Sequence, residues 1–180
     1  MDLIRQQLLD LLDRSGAKLY AMLTRLTLCQ DVADDLLQEL FIKLDRAART
    51  ETVHDWESYA RQAAIHLAFD WWRRQKRAGP SLDAVPTPAC DELSPLGRLV
   101  RDEQIQEILA RIGQLNGSAR QAFVLRYIEQ ESYESIAASM NKTPHQVRAL
   151  CAKVMQWLRN QMGESDAPCP RKDPDHAAQQ

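Results

Sequence analysis

Apolar side chains recur along this chain three and four positions apart. Leu19, Met22, Leu23 and Leu26 form one stripe, and Val32, Leu36, Leu37, Leu40 and Leu44 form a second. Tyr59, Ala63, Ile65 or His66, and Leu67 lie within a third, less regular stretch. After an interruption come Ile105, Ile108, Leu109 and Ile112, then Ala122, Leu125 and Ile128, and finally Val147, Leu150, Cys151, Val154 and Leu158. Positions spaced this way share one face of a helix, so each stretch predicts an amphipathic helix. No strand-like alternation between turn signals accompanies them. The expected fold class is all-α.

The interruption covers residues 79–94, where Gly79, Pro80, Pro86 and Pro88 cannot continue a helix and favour an extended connector. Ser94-Pro95 then reads as an N-cap with proline at the first helical position. A second punctuated stretch begins at Gly163 and holds Pro168, Pro170 and Pro174. The expected organisation is a helical domain over 1–78, a Pro-rich linker over 79–94, a second helical domain over 95–162, and a disordered tail over 163–180.

Composition narrows the class. Of the 180 residues, 44% are hydrophobic and 27% charged, which suits a folded soluble protein rather than a disordered chain. No apolar run approaches the roughly 18–20 residues that cross a bilayer, so no membrane partner is expected, and the N-terminus lacks a secretory signal pattern. Cys29, Cys90, Cys151 and Cys169 stand far apart without a Cys-x-x-Cys pair. That spacing argues against a zinc knuckle or disulfide framework and fits a reducing cytoplasm. No metal or cofactor is expected.

The net charge of -2 would by itself argue against a nucleic-acid partner, but its distribution does not. Residues 31–45 carry a net -4, residues 61–78 a net +4, and residues 142–162 a net +4. Segregated charge builds local potentials that a total conceals.

Ser132 to Met140 reads as a short helix capped by Ser132, with Asn141-Lys142 as the turn. Thr143 then caps a second helix, with Pro144 at its first position and Gln146 placed for a capping box. Two short helices around so brief a turn match the DNA-binding helix-turn-helix. Ile136, Ala137, Met140, Val147, Leu150 and Cys151 can fill the corner between them. His145, Gln146, Arg148, Ala149, Ala152 and Lys153 face away from that corner, toward a major groove. Gln146 and Arg148 suit base edges, and Lys142 and Lys153 suit phosphates. An ordinary helical hairpin with a solvated basic face is the competing reading.

In the first half, Asp34, Asp35, Gln38 and Glu39 place acids and an amide on one face of an apolar helix. Farther on, Trp71-Trp72-Arg73-Arg74-Gln75-Lys76-Arg77 interleaves rings with cations, as surfaces for single-stranded DNA do. Adjacent Trp71 and Trp72 project about 100° apart on a helix, so one core and one partly exposed ring is the plain alternative.

The order of these motifs resembles a family. An Asp-x-x-Gln-Glu-x-Phe helix, a Trp-x-x-Tyr…Asp-x-x-Arg-Arg helix and a Pro-rich linker come first. Leu115…Ala119-Arg120…Phe123…Leu125-Arg126…Ser132-Tyr133-x-x-Ile136-Ala137 and a helix-turn-helix follow. From about residue 17 to 162 this is similar to the bacterial RNA polymerase sigma factors of the extracytoplasmic-function (ECF) type, in the sigma-70 family. The resemblance implies a promoter-specificity subunit, not an enzyme. Its partners would be core RNA polymerase, through clamp helices and flap, and promoter DNA, and often an anti-sigma factor. Core binding would fall to Asp34, Asp35, Gln38, Glu39 and Phe41. Recognition of the −10 element would fall to Arg61, His66, Trp71, Arg73, Arg74, Lys76 and Arg77. Recognition of the −35 element would fall to Lys142, Thr143, His145, Gln146, Arg148, Ala149 and Lys153. Asp70 would be structural, pairing with Arg73 or Arg74 one turn on.

Two positions depart from the family pattern. His66 stands where members usually carry Asn, and an imidazole lacks the amide's paired donor and acceptor. Leu150 stands where a second Arg often follows. Rival readings are a stand-alone helix-turn-helix regulator and a helical adaptor that never touches DNA. Neither requires both an acidic helix and a Trp-rich basic one. No Ser/His/Asp set, metal spacing or phosphate-cradling Gly-rich loop suggests catalysis.

Overall fold

The computed structural model describes the backbone of residues 2–50, 52–78 and 95–162, with the side chains of 2–5, 7, 76–78, 95–103 and 162 outside the description. The connector and tail expected over 79–94 and 163–180 lie outside the described residues. Among the described residues every regular element is helical, in agreement with the all-α reading. The elements are α1 (Asp2–Thr27), α2 (Gln30–Thr50), α3 (Trp56–Ala78), α4 (Pro95–Ile112), α5 (Gly117–Phe123), a π-helical turn (Val124–Ile128), α6 (Tyr133–Ser139) and α7 (Pro144–Met162).

Helices α1, α2 and α3 pack pairwise into a three-helix bundle. The expected stripes supply its core: Leu19, Met22, Leu23 and Leu26 from α1 and Leu36, Leu40 and Leu44 from α2 are all buried. α3 adds Ala60, Ala63, Ala64, Ile65, Leu67, Ala68 and Phe69. These alanines let α3 approach its neighbours closely, which explains why its apolar pattern looked irregular in sequence. Leu28, at φ 59°, ends α1 in the left-handed region that a non-glycine residue enters at a cost of about 1–2 kcal/mol. The Thr27 hydroxyl, buried at that end, donates to Leu23 O and Cys29 O. Asp55 caps α3: the N–H groups of Glu57 and Ser58 donate to its Oδ1 at 3.1 Å. The Ser58 hydroxyl also donates to Asp55, and this bond leads the causes that hold the carboxyl below its usual range.

In the second half, α5 and α6 both pack on α7. Asn116 caps α5 by accepting from Ala119 N–H at 2.9 Å. The chain then widens into the π turn, where Glu129 N–H donates to Val124 O five residues back. That register buries Val124 and Leu125 and leaves Ile128 half-buried, so the expected stripe of Ala122, Leu125 and Ile128 is only partly realised. Ile112, Ala122, Leu125, Ile136, Val147, Cys151, Val154 and Leu158 form the core of this half. The two halves touch: α3 packs against α4 and α5, and the buried residues form one continuous cluster.

Candidate nucleic-acid interface

The helix-turn-helix is built as its residues suggest. Ser132 Oγ accepts from Ser135 N–H at 3.1 Å to cap α6. Asn141, at φ 52°, makes the turn, and Lys142 N–H donates to Ala137 O at 2.9 Å. Thr143 and Gln146 close a reciprocal capping box: Gln146 N–H donates to Thr143 Oγ1 at 3.2 Å, and Thr143 N–H donates to Gln146 Oε1 at 2.9 Å. Ile136, Ala137, Val147 and Cys151 are buried in the corner, with Met140 and Leu150 packed partly buried beside them. The Cys151 thiol donates to Ala122 O, and burial pushes its pKa up to about 11, so it acts as packing rather than as a nucleophile.

That packing leaves His145, Gln146, Arg148, Ala149, Ala152 and Lys153 exposed on one side of α7, with Thr143 exposed and Lys142 half-buried at the turn. The face combines two full cations, an amide and an imidazole. The guanidinium of Arg148 lies 5.0 Å from the Tyr133 ring centroid, and its Nη2 lies 4.0 Å from Glu134 Oε1. Stacking on Tyr133 holds the fork outward without burying it. The capping box commits the Gln146 carbonyl oxygen, so its amide nitrogen is the half available for a base edge.

On α2, Asp34, Asp35, Gln38, Glu39 and Phe41 are all exposed, while Ala33, Leu36, Leu40 and Leu44 on the opposite side are buried. Ile42 is exposed beside Phe41, so the acidic face carries an apolar edge. Anionic and apolar atoms side by side suit a protein partner with basic and apolar patches better than they suit DNA.

The α3 residues are differently placed. Asp70 pairs with Arg73, one of its two expected partners. Arg74 Nη2 lies 3.6 Å from Glu39 Oε2, which joins the basic end of α3 to the acidic face of α2. Trp71 and Trp72 are both half-buried and meet edge to face at 4.8 Å between centroids. Trp72 Nε1–H donates to Leu26 O at 2.8 Å and is thereby fixed to α1. The side chains of Lys76 and Arg77 lie outside the described residues.

Arg61 and His66 are engaged by the second half of the chain. Arg61 Nη1 donates to Glu131 Oε1 at 2.5 Å, and Arg61 Nε is buried with no partner among the described residues. A methyl group added at Gly117 would stand 3.5 Å from His66 Nε2, so the start of α5 lies against that imidazole. Burial, then the nearby charges of Arg120, Lys43 and Arg73, holds the His66 pKa below its usual value.

Sequence reasoning missed Arg25, Glu129 and Glu131, which form these contacts, and gave Arg120 no role beyond the motif. Arg25 makes a forked pair with Glu129, with Nη2 at 2.7 Å from Oε2 and 2.8 Å from Oε1. The one sequence signal was a pair of acids, Glu129 and Glu131, flanking Gln130 next to the expected DNA-reading motif. Among the described residues no group of three His, Cys, Asp or Glu could hold a metal, and no helix is long and apolar enough to cross a membrane.

Comparison with known proteins gives these surfaces their context. Residues 11–78 match the family described as Sigma-70 region 2, and residues 105–158 match Sigma-70, region 4. The ECF RNA polymerase sigma factor SigX of Bacillus subtilis is 26% identical over 90% of both chains. The RNA polymerase sigma-E factor of Streptomyces coelicolor is 28% identical over 74% of this chain and 73% of its own. The ferric citrate uptake sigma factor FecI of Escherichia coli is 26% identical over 69% of this chain and 72% of its own. With an acidic helix, a Trp-rich basic helix and a helix-turn-helix in family order, this chain belongs to the ECF sigma factors of the sigma-70 family, promoter-specificity subunits of RNA polymerase.

Proposed function

We propose a division of labour among three surfaces of this subunit. Asp34, Asp35, Gln38, Glu39 and Phe41 on α2 dock on the clamp helices of core polymerase, and the 95–162 domain adds a contact to the flap. Arg61, His66, Trp71, Arg73, Arg74, Lys76 and Arg77 on α3 take up the −10 element. Lys142, Thr143, His145, Gln146, Arg148, Ala149 and Lys153 read the −35 element. The chain works in the cytoplasm and has no chemistry of its own; it positions polymerase on a promoter.

The observation that carries this reading is the sorting of side chains on α2 and α7. Each helix buries its apolar stripe and exposes the residues assigned to a partner. Phosphate contacts by Lys142 and Lys153 would hold the helix in register, and the Arg148 fork would select a base. The assignment is tested by separating the two surfaces. Asp34→Lys with Asp35→Lys should abolish capture by core polymerase at moderate salt. Arg148→Ala should leave capture intact and lower initiation from a cognate promoter. Equal loss of both activities in the Arg148 variant would mean that α7 packs rather than reads.

A further inference from the structure

We propose that Tyr133 is a positioning residue for promoter reading. Its ring fixes the Arg148 fork at one height on α7, so selectivity at the base pair that Arg148 reads depends on a side chain that reads no base. This deepens the −35 assignment of Arg148 and rests on it.

The ring is itself held in place. Tyr133 opens α6 directly after the capping Ser132, whose Oγ accepts from Ser135 N–H at 3.1 Å and whose carbonyl accepts from Ile136 N–H at 3.0 Å. Its side chain is half-buried and packs against the core. Arg126, rising from the π turn, brings its guanidinium carbon to 4.3 Å from the ring centroid. The same guanidinium donates through Nη1 to Glu131 O at 2.8 Å. A cation this close is attracted by the negative face of the ring. Arg126 thus ties the ring to the backbone two residues upstream, and the π turn becomes part of the support for α7.

Arg148 leans on this anchored ring, with its guanidinium carbon 5.0 Å from the same centroid. Its acidic neighbour, Glu134, gives a weaker hold: Nη2 and Oε1 are 4.0 Å apart, and the two side chains are 56% and 63% exposed. Water screens a pair of that length and exposure, which contributes little. The ring therefore sets where the fork stands. Stacking on a ring also leaves the N–H donors at the edge of the guanidinium free, whereas a carboxylate would occupy the donors that a base edge needs.

The consequence is for selectivity more than for affinity. Arg148 is the one Arg or Lys among residues 144–151, the first two turns of α7, and these turns enter the major groove in this motif. A fork held at one height meets one base edge in bidentate fashion. A free fork also reaches phosphates and neighbouring bases, so it accepts mismatches that the held fork rejects. Ordering the long side chain before DNA arrives removes a cost otherwise met on binding.

The test uses holoenzyme assembled from core polymerase and the full chain. Its templates are a promoter mapped with that holoenzyme and every single-base variant of the −35 element. Arg148→Ala should abolish the preference at one base pair, which marks the pair that Arg148 reads. Tyr133→Leu should weaken the preference at that same pair about two- to tenfold and leave the other pairs unchanged. Tyr133→Phe should restore it, because the contacts are made with the ring rather than the hydroxyl. Pentafluorophenylalanine at position 133 keeps the shape of the ring, and hence the packing, but drains its negative face; it should behave as Tyr133→Leu does. Wild-type preference with the fluorinated ring would overturn the proposal. So would a loss spread evenly over all pairs, or a Phe variant as impaired as the Leu one, which would put the hydroxyl on a phosphate instead. The assignment of Arg148 is read separately: if Arg148→Ala abolishes no preference, that assignment fails and the role of Tyr133 falls with it.

Discussion

The two helices proposed to face DNA carry similar chemistry and stand in opposite states. On α7 the residues proposed for the −35 element are exposed, with Arg148 propped outward on Tyr133. On α3, Arg61 is already paired with Glu131 and His66 lies under the start of α5. The difference is one of position. α7 packs through one stripe and keeps its other side clear, whereas α3 lies between α1 and α2 on one side and the second half of the chain on the other. A cation-rich face therefore says what a surface could bind, and packing says whether it is available.

The strongest way to break this comparison is at Phe69, which is fully buried in the first half while its ring lies under Arg120 of the second. Phe69→Ala should cost about 3–5 kcal/mol of stability, read by chemical denaturation. If one core spans both halves, hydrogen exchange should rise in α5 as well as in α3. Protection lost in α3 alone would mean that the halves are energetically separate.

A smaller effect sharpens the α7 side. Arg148→Ala should cost about 1–3 kcal/mol of discrimination between cognate and mismatched promoters, while hydrogen exchange of α3 and α5 in the free chain stays at its wild-type value. Arg61→Ala should do the reverse in part, raising exchange beside Glu131 in the free chain through loss of that contact as well as impairing promoter opening by the holoenzyme. Identical behaviour of the two variants would erase the distinction drawn here.

At the entrance to α3, Asp55→Ala should cost about 1 kcal/mol through loss of the cap. Because the carboxyl is held below its usual range, the cap's contribution is full above the ordinary carboxylate value near 4 and is lost as pH falls. Thermal melts of wild type and variant should therefore differ at neutral pH and converge at acidic pH.

The smallest expected effect is a pH dependence of the contact between the halves. His66 faces Arg120 from α5, Lys43 from α2 and Arg73 on its own helix, and is held below its usual value chiefly by burial. A group depressed where the halves touch binds its proton more readily once they part. The contacts over His66 are thus fully favoured above the ordinary imidazole value near 6.5 and weaken as pH falls below it. Hydrogen-exchange protection at the start of α5 should decline from pH 7.5 to 5.5, after correction for the intrinsic rate, and a His66→Asn variant should flatten that decline.

Much of this was legible from the residues. The stripes of α1, α2 and α7 located their buried faces because burial repeats with the helical period. Thr143, Pro144 and Gln146 located the start of α7, and Asp70 the ion pair to Arg73, because both are local arrangements. The π turn at Val124–Ile128 was not legible, since its i→i+5 bonds leave no periodic mark. Nor was the contact between the halves: Arg25 and Glu129 are 104 residues apart, Arg61 and Glu131 are 70 apart, and a charge pattern does not say which distant partner a cation will meet. Arg120 was visible as a motif residue, but only the fold places it over Phe69.

The central claim is that this chain directs polymerase to promoters. Core RNA polymerase supplied with this protein alone, on genomic template, should begin transcripts at a discrete set of start sites absent with core alone. Asp34→Lys/Asp35→Lys should abolish them all, and Arg148→Ala should deplete those with the best −35 match. Start sites indistinguishable from core polymerase alone would contradict the account.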